Sequence, residues 1–288
     1  MNTVAVVLEA ARRKLPASEA RLLLGHILGQ SAAWLLAHGE QVLDEDDLLA
    51  FASLAARRAG GEPVAYLVGR REFFGRDFEV SPAVLIPRPE TELLVEIALA
   101  KVGGGDTATG AARILDLGTG SGCIAITLAL ELPQAQVTAL DASAAALAVA
   151  RRNAERLDVR LRFVQGDWFD AVDGEAFDLI VANPPYIAAA DPHLAAGDLR
   201  HEPATALASG ADGLDALRRI IAGAPAHLAP GGQLWLEHGY DQAPAVLDLL
   251  AGAGLAATEQ HRDLAGIIRV SGGRLPLEFA LAARGAAL

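Results

Sequence analysis

The sequence predicts an α/β protein in two parts. A small helical bundle comes first, followed by an open, mostly parallel sheet with helices on both faces. Three observations predict it. Residues 1 to about 60 keep apolar side chains at helical spacing, beginning with Val4, Val7, Leu8 and Ala11. From Arg113 onward, short apolar runs alternate with helical ones, which is the pattern of a parallel sheet. The first of those runs leads into Gly118-Thr119-Gly120-Ser121-Gly122, with glycines where a strand must turn tightly into a helix.

Taken in order, Pro16-Ala17-Ser18 interrupts the first helix, and Ser18 is positioned to cap a second helix running to Leu28. Leu22, Leu23, Ile27 and Leu28 form its apolar face. Gly39 marks a turn, and Asp44-Glu45-Asp46-Asp47 opens a helix to about Ala59 with acids at the positive end of its dipole. Gly60-Gly61 ends this part. Val64 to Val80 alternates enough to predict a hairpin, with turns at Gly69-Arg70 and Gly75-Arg76. The expected organisation is a helical domain over 1–62, a hairpin linker over 63–84 and the main domain over 85–288. Pro87 and Pro89 keep the next segment extended, and Thr91 can start the helix after it. Gly103-Gly104-Gly105-Asp106 reads as a loop before the first sheet strand. Gly232 to Glu237 reads as a late strand, and Ala256–Arg262 with Ile267–Arg274 as a closing hairpin.

Composition narrows the classes. The chain has 288 residues, 52% of them hydrophobic, with a mean hydropathy of +0.29, enough for a well-filled core. No apolar run reaches the length of a bilayer span, and no basic segment with a cleavage site opens the sequence. The single cysteine excludes an internal disulfide and any cysteine-cluster metal site. The seven histidines have no ligand spacing, so no metal is expected. A cytoplasmic monomer is the expectation. The net charge of −12 argues against duplex DNA as partner, since phosphates call for a basic face.

The motifs carry the chemistry. The alternate glycines 118, 120 and 122 follow Asp116-Leu117 and do not match the dinucleotide spacing G-x-G-x-x-G. They match the S-adenosylmethionine version, in which the loop, Thr119 and Ser121 included, packs against an amino acid and a ribose. Asp116 can order the loop or meet the cofactor amino group. Asp141 closes the next strand, where a carboxylate can accept both ribose hydroxyls. Gly166-Asp167-Trp168 follows the third, with an acid and an aromatic suited to an adenine. Cys123 reads as a small core residue, and Glu237 and His238 as packing or loop residues.

Asn183-Pro184-Pro185-Tyr186 follows the apolar run Phe177–Ala182. Neither proline has an N–H, so the turn offers carbonyl oxygens with few competing donors. Asn183 adds an amide oxygen and Tyr186 a flat aromatic face. That combination suits a planar –NH2 on an sp2 carbon. The residues together imply a Rossmann-like S-adenosylmethionine-dependent methyltransferase acting on a planar nitrogen, and the Asn-Pro-Pro-Tyr turn alone fits an amide or the adenine N6 of DNA or RNA.

The chain further resembles the protein-(glutamine-N5) methyltransferases of peptide-chain release factors, the PrmC/HemK family. The resemblance runs from about Gly61 to near the C-terminus. It rests on Gly61–Gly69, Arg71–Gly75, Val84-Leu85-Ile86-Pro87-Arg88-Pro89-Glu90-Thr91-Glu92, Asp116–Gly122, Gly166–Trp168, Asn183–Tyr186, His201-Glu202-Pro203 and Leu236–Gly239. The Leu85–Glu92 segment is what separates it from the adenine enzymes. The resemblance implies S-adenosylmethionine as cofactor, S-adenosylhomocysteine as product, and the glutamine of a release factor Gly-Gly-Gln motif as acceptor. It implies a substrate-recognition role for residues 1–62, and no stable nucleic-acid or membrane partner. The cofactor set is then Gly118, Thr119, Gly120, Ser121, Gly122, Asp141, Asp167, Trp168 and Asn183. Asn183, Pro184, Pro185 and Tyr186 bind substrate, with Asn183, Pro184 and Tyr186 catalytic. One departure is visible: the family tends to Asp-Leu-Ala-Gly-x-Asp-Arg-Val, and Asp263–Val270 has Ile268 in place of the second acid. An adenine-N6 methyltransferase and a non-catalytic S-adenosylmethionine-binding module are the alternatives.

Overall fold

The computed structural model describes residues 2–103 and 111–278. Gly104, Gly105 and Asp106 of the expected loop lie outside the described residues. The chain divides into two compact units, one of Met1–Arg70 with Ala196–His201, the other of Arg71–Ala195 with Glu202–Leu288.

The first unit is helical: α1 (Val4–Ala11), α2 (Ala17–Leu28), α3 (Ala32–Ala37), α4 (Glu45–Ala59) and α5 (Val64–Val68). Local chemistry sets their ends. Thr3, Ser31 and Asp44 accept backbone N–H groups at the starts of α1, α3 and α4, satisfying donors that a helix leaves orphaned. Gly29, in left-handed conformation, stops α2. Along α4, Glu45, Asp46 and Asp47 sit at its start and Arg57 and Arg58 at its end, both favourable to the dipole. Val4, Leu23, Leu24, Leu35, Phe51 and Leu67 make the core. Arg58 pairs with Glu19 and, through Nη1, with Asp198 at 2.7 Å, and Arg200 donates to the Gly60 carbonyl at 2.7 Å. These polar ties explain why residues 196–201 belong to this unit.

Two local expectations are corrected. The second helix begins at Ala17 with Pro16 at its cap position, and Ser18 lies inside it. Proline's fixed φ and missing N–H suit a helix start. The hairpin is shorter than expected: Val64–Val68 is helix α5, and only β1 (Arg70–Phe73) and β2 (Arg76–Glu79) are strands. Pro63 opens α5 and Gly69, at φ +71°, closes it. Val64, Leu67 and Val68, at helical spacing, pack onto the bundle core.

The second unit is built on a seven-stranded sheet. Its strands are β3 (Arg113–Leu117), β4 (Gln136–Asp141), β5 (Arg162–Gln165), β6 (Phe177–Ala182), β7 (Leu228–Glu237), β8 (Ala256–Arg262) and β9 (Ile268–Arg274). They lie in the order β5-β4-β3-β6-β7-β9-β8. The strands from β5 to β7 are parallel, while β9 runs antiparallel to both β7 and β8. This is the expected Rossmann-like sheet with its closing hairpin. Successive residues point to opposite faces. Ile114, Leu179, Val181 and Trp235 therefore join one core cluster, with α6 (Glu92–Gly103) and α7 (Cys123–Glu131). Leu115, Leu117, Ile180, Ala182, Leu234 and Leu236 join the other, with α9 (Asp215–His227) and α10 (Ala243–Gly252). Each Leu, Ile or Val among them, fully buried, contributes about 1.5–3 kcal/mol.

One register row matters for the site. Leu140, Leu117, Ala182 and Leu236 are aligned across β4, β3, β6 and β7. The next residues along those strands are Asp141, Gly118, Asn183 and Glu237.

Candidate active site

The glycine loop connects β3 to α7. Gly118, Gly120 and Gly122 all have positive φ, at 75°, 56° and 83°, which is the physical reason for their alternation. At Gly122 space forbids a side chain as well: a Cβ would stand 2.8 Å from the Ile126 side chain and 3.1 Å from that of Ala150. The N–H groups of Gly118 and Thr119 both donate to the Leu140 carbonyl, tying the loop to the end of β4. Asp116, fully buried, accepts the Thr119 hydroxyl at 2.6 Å and the Ala125 N–H at 3.2 Å. Of its two expected roles this geometry gives the first, ordering the loop and the start of α7. Burial pushes its carboxyl up to about 7, and its Oδ1 has no protein partner.

Asp141 accepts the Gly120 N–H at 2.9 Å and the Ser143 N–H at 2.8 Å, one with each oxygen. It braces the loop, a role not apparent in the sequence, and each oxygen keeps lone-pair capacity for hydroxyl donors. Burial raises its pKa. Asp167 pairs with Arg219 at 2.6 Å, an unanticipated anchor from α9. Trp168 adopts φ +54°, and its ring stands 3.7 Å from where a Cβ on Gly118 would be.

These loops enclose a cavity of about 530 Å³ at the carboxyl ends of β3, β4, β5 and β6, where open α/β sheets hold ligands. Gly118, Thr119, Gly120, Ser121, Asp141, Asp167, Trp168, Asn183, Pro184 and Pro185 line it. Gly122 and Tyr186 do not. Gly122 lies behind, between α7 and α8 (Ala144–Arg156). Cys123 reaches the cavity edge as well as the core, and burial pushes its thiol up to about 12, so it stays protonated and inert. Among the described residues no cluster could hold a metal ion.

Two segments that the sequence tied only to the family resemblance complete the wall. Leu85, Pro87 and Arg88 face the cavity from one side, Pro203 and Thr205 from another. Glu202 joins them: its buried carboxylate accepts the Ile86 N–H at 2.9 Å and the Arg88 guanidinium. In the Asp263–Val270 loop, Asp263 alone collects the Ala265 and Ile267 N–H groups and the Arg269 guanidinium.

At the acceptor turn, the Asn183 amide donates from Nδ2 to the Thr91 hydroxyl at 3.0 Å. Its Oδ1 is left for another donor. Tyr186 is set back from the cavity, because its buried hydroxyl is turned inward to Glu237, 3.2 Å away. Its backbone carbonyl accepts Gln242 Nε2 at 3.0 Å. Glu237 is 1% exposed, and its second carboxyl oxygen, Oε2, is buried with no hydrogen-bond partner in the protein. Burial pushes its carboxyl up to about 7. Reading Glu237 as a packing or loop residue thus missed its attachment to the acceptor turn. His238 next to it is the structural residue expected, held between the Gly239 carbonyl and Ser271. Thr91, expected to start a helix, spends its hydroxyl here, while α6 starts at Glu92.

Alternate glycines after β3, with a carboxylate rather than a phosphate cradle at the end of β4, put the second unit in the class of S-adenosylmethionine-dependent methyltransferases. Residues 2–69 match the model of the PrmC N-terminal domain, and residues 91–212 that of the Methyltransferase small domain. The chain is 56% identical over 262 residues to the release factor glutamine methyltransferase of Bordetella pertussis, covering 91% of this chain and 96% of that one. Against the protein of the same name from Burkholderia pseudomallei it is 54% identical over 281 residues, covering 95% and 96%. A crystal structure of a methyltransferase from Pyrococcus furiosus shares the fold, with a TM-score of 0.52 and 20% identity over 78% of this chain and 99% of that one. The chain belongs to the release factor glutamine methyltransferase family.

Proposed function

We infer that this chain transfers a methyl group from S-adenosylmethionine to the side-chain amide nitrogen, N5, of the glutamine in the Gly-Gly-Gln motif of peptide-chain release factors. Membership of the family supports the reaction, and the orientation of Asn183 is the single observation that carries the chemistry. Because Thr91 takes the amide N–H, the Asn183 oxygen is available beside the cavity. No feature of the comparisons supports the adenine-N6 alternative, and the acidic charge of the chain disfavours it.

The residues fit the cofactor. A cavity of about 530 Å³ is of ligand size, the glycine loop lines it, and Asp141 beside that loop keeps lone-pair capacity that suits a ribose diol. Gly118, Gly120, Asp141, Asp167 and Trp168 would hold it. When bound, S-adenosylmethionine supplies an electrophilic methyl on a sulfonium centre.

An amide nitrogen is a poor nucleophile because its lone pair is delocalised into the carbonyl. The Asn183 oxygen and the Pro184 carbonyl accept its two N–H protons. That aims the lone-pair axis toward the methyl and stabilises the positive charge developing on nitrogen. The extra proton leaves to solvent afterwards, since an N-protonated amide is very acidic. Tyr186 contributes from behind the turn, through Glu237. Residues 1–62 supply recognition of the release factor, because a single glutamine offers too little surface for it. No helix among the described residues is long and apolar enough to cross a membrane. We place the reaction in the cytoplasm, with the release factors.

Methyl-label transfer tests the reading. Purified release factor should take up label from S-adenosylmethionine, while its glutamine-to-alanine variant and duplex DNA should not. Equal labelling of the alanine variant would overturn the assignment of the acceptor.

A further inference from the structure

Arg88 stands between two prolines at the cavity wall, with its backbone pinned. It is extended, at φ −102° and ψ 141°, as favoured before a proline, and its carbonyl accepts the Thr91 N–H at 3.1 Å. Its guanidinium is tethered at one end. Nη2 donates to one oxygen of the Glu202 carboxylate, whose other oxygen accepts the Ile86 N–H at 2.9 Å. The Glu202 side chain is 0% exposed, whereas that of Arg88 is 29% exposed. A guanidinium carries several N–H donors, so a bond to Glu202 leaves most of them for another partner. Among the described residues that line the cavity, Arg88 is the only lysine or arginine.

Position narrows what such a cation meets. Arg88 precedes the short helical turn Pro89–Thr91, and the Thr91 hydroxyl holds Asn183 just past β6. Asp167 and Trp168, suited to an adenine, follow β5, three strands away in the sheet order. Asp141 and the glycine loop lie between, past β4 and β3. S-adenosylmethionine has the same polarity: adenine, ribose, sulfonium, then an amino acid with a free carboxylate. That carboxylate is the one anionic group that the reactants bring here. The acceptor amide is neutral and calls for oxygens, which Asn183 and Pro184 offer.

We propose that Arg88, held by Glu202, binds the α-carboxylate at the amino-acid end of S-adenosylmethionine and so selects ligands that carry it. Arginine suits the task, because its planar fork can meet a carboxylate with two parallel charge-assisted bonds. Glu202 and the flanking prolines order that fork beforehand, which lowers the cost of binding. S-adenosylmethionine and S-adenosylhomocysteine both carry the carboxylate, so the contact serves affinity rather than the chemical step.

This role rests on the cofactor reading above, and calorimetry separates the two. The probe is decarboxylated S-adenosylmethionine, which has a hydrogen in place of the carboxylate. The wild-type protein is expected to bind S-adenosylmethionine about 10–100-fold more tightly than the probe. Arg88→Met, which keeps an unbranched stem and removes the cation, is expected to weaken S-adenosylmethionine binding about 10–100-fold. Its Kd for the probe is expected to stay near wild type, so that the preference disappears. Equal wild-type affinity for the two compounds, a preference retained in Arg88→Met, or an equal loss for both compounds in that variant would each overturn the proposal. So would an unchanged S-adenosylmethionine Kd in Arg88→Met with a raised release-factor KM, which would put the guanidinium on the protein substrate. Absence of binding of either compound to the wild-type protein would instead overturn the cofactor reading itself.

Discussion

Glu202 accepts the backbone N–H of Ile86 at 2.9 Å, 116 positions away in sequence. The same carboxylate holds Arg88, so one buried side chain joins two segments that face the cavity. Glu202→Ala would leave a buried N–H without an acceptor and Arg88 without its ion. The expected cost is about 1–3 kcal/mol of stability, with weaker S-adenosylmethionine binding. Urea unfolding and calorimetry check both. Unchanged values in both measurements would mean that the two segments are held by other contacts.

Asn183→Ala removes the acceptor facing the substrate amide and leaves the glycine loop untouched. Methyl transfer is expected to fall about 100-fold or more, while cofactor affinity is retained. Single-turnover label transfer and calorimetry on the same preparation separate the two effects. Transfer at the wild-type rate would remove Asn183 from the mechanism.

Asp141→Ala should act on the cofactor. A buried hydrogen bond to a charged group contributes on the order of 1.5–3 kcal/mol, so affinity for S-adenosylmethionine is expected to drop roughly tenfold to a hundredfold. Because Asp141 also braces Gly120 and Ser143, apo-protein melting should fall as well. A loss of affinity without any loss of apo stability would show that the bracing bonds are replaced by water.

Two carboxyls in the second unit should make stability depend on pH. Burial raises Asp116 from 3.8 and Glu237 from 4.5, each to about 7. A raised folded pKa contributes stability that is fully present below the unfolded value and is lost as pH rises through the folded one. The contribution of these groups therefore falls between about pH 4 and pH 7 and is level above that window. Glu237→Gln and Asp116→Asn are each expected to flatten the decline of Tm across this window. A slope equal to wild type in both variants would contradict the assignment.

Local signals made much of this molecule legible. The glycine loop, Asp141 and the Asn-Pro-Pro-Tyr turn stand next to the strands that carry them, so spacing along the chain reports spacing in the fold. Capping acids at α4 and the closing hairpin were readable for the same reason. What escaped reading was non-local. Arg219 reaches Asp167 over 52 positions, and Thr91 meets Asn183 over 92, with no pattern in either neighbourhood to announce the partner. Glu237 is bound to Tyr186 at a separation of 51 and reads as a strand-end acid until the strands are aligned. At Val64–Val68 the failure was local: five apolar residues between Pro63 and Gly69 fit a short helix or a short strand, and the bundle core decides.

The shared register of Leu140, Leu117, Ala182 and Leu236 makes the sheet a ruler. Neighbouring strands are held about 4.7–4.9 Å apart by main-chain bonding that is indifferent to side-chain identity. The cofactor loop after Leu117 and the acceptor turn after Ala182 are therefore separated by one rung of backbone. A substitution in the surrounding core can loosen the protein without changing that interval. Side chains around the pocket are free to diverge among relatives while the donor and the acceptor keep their distance.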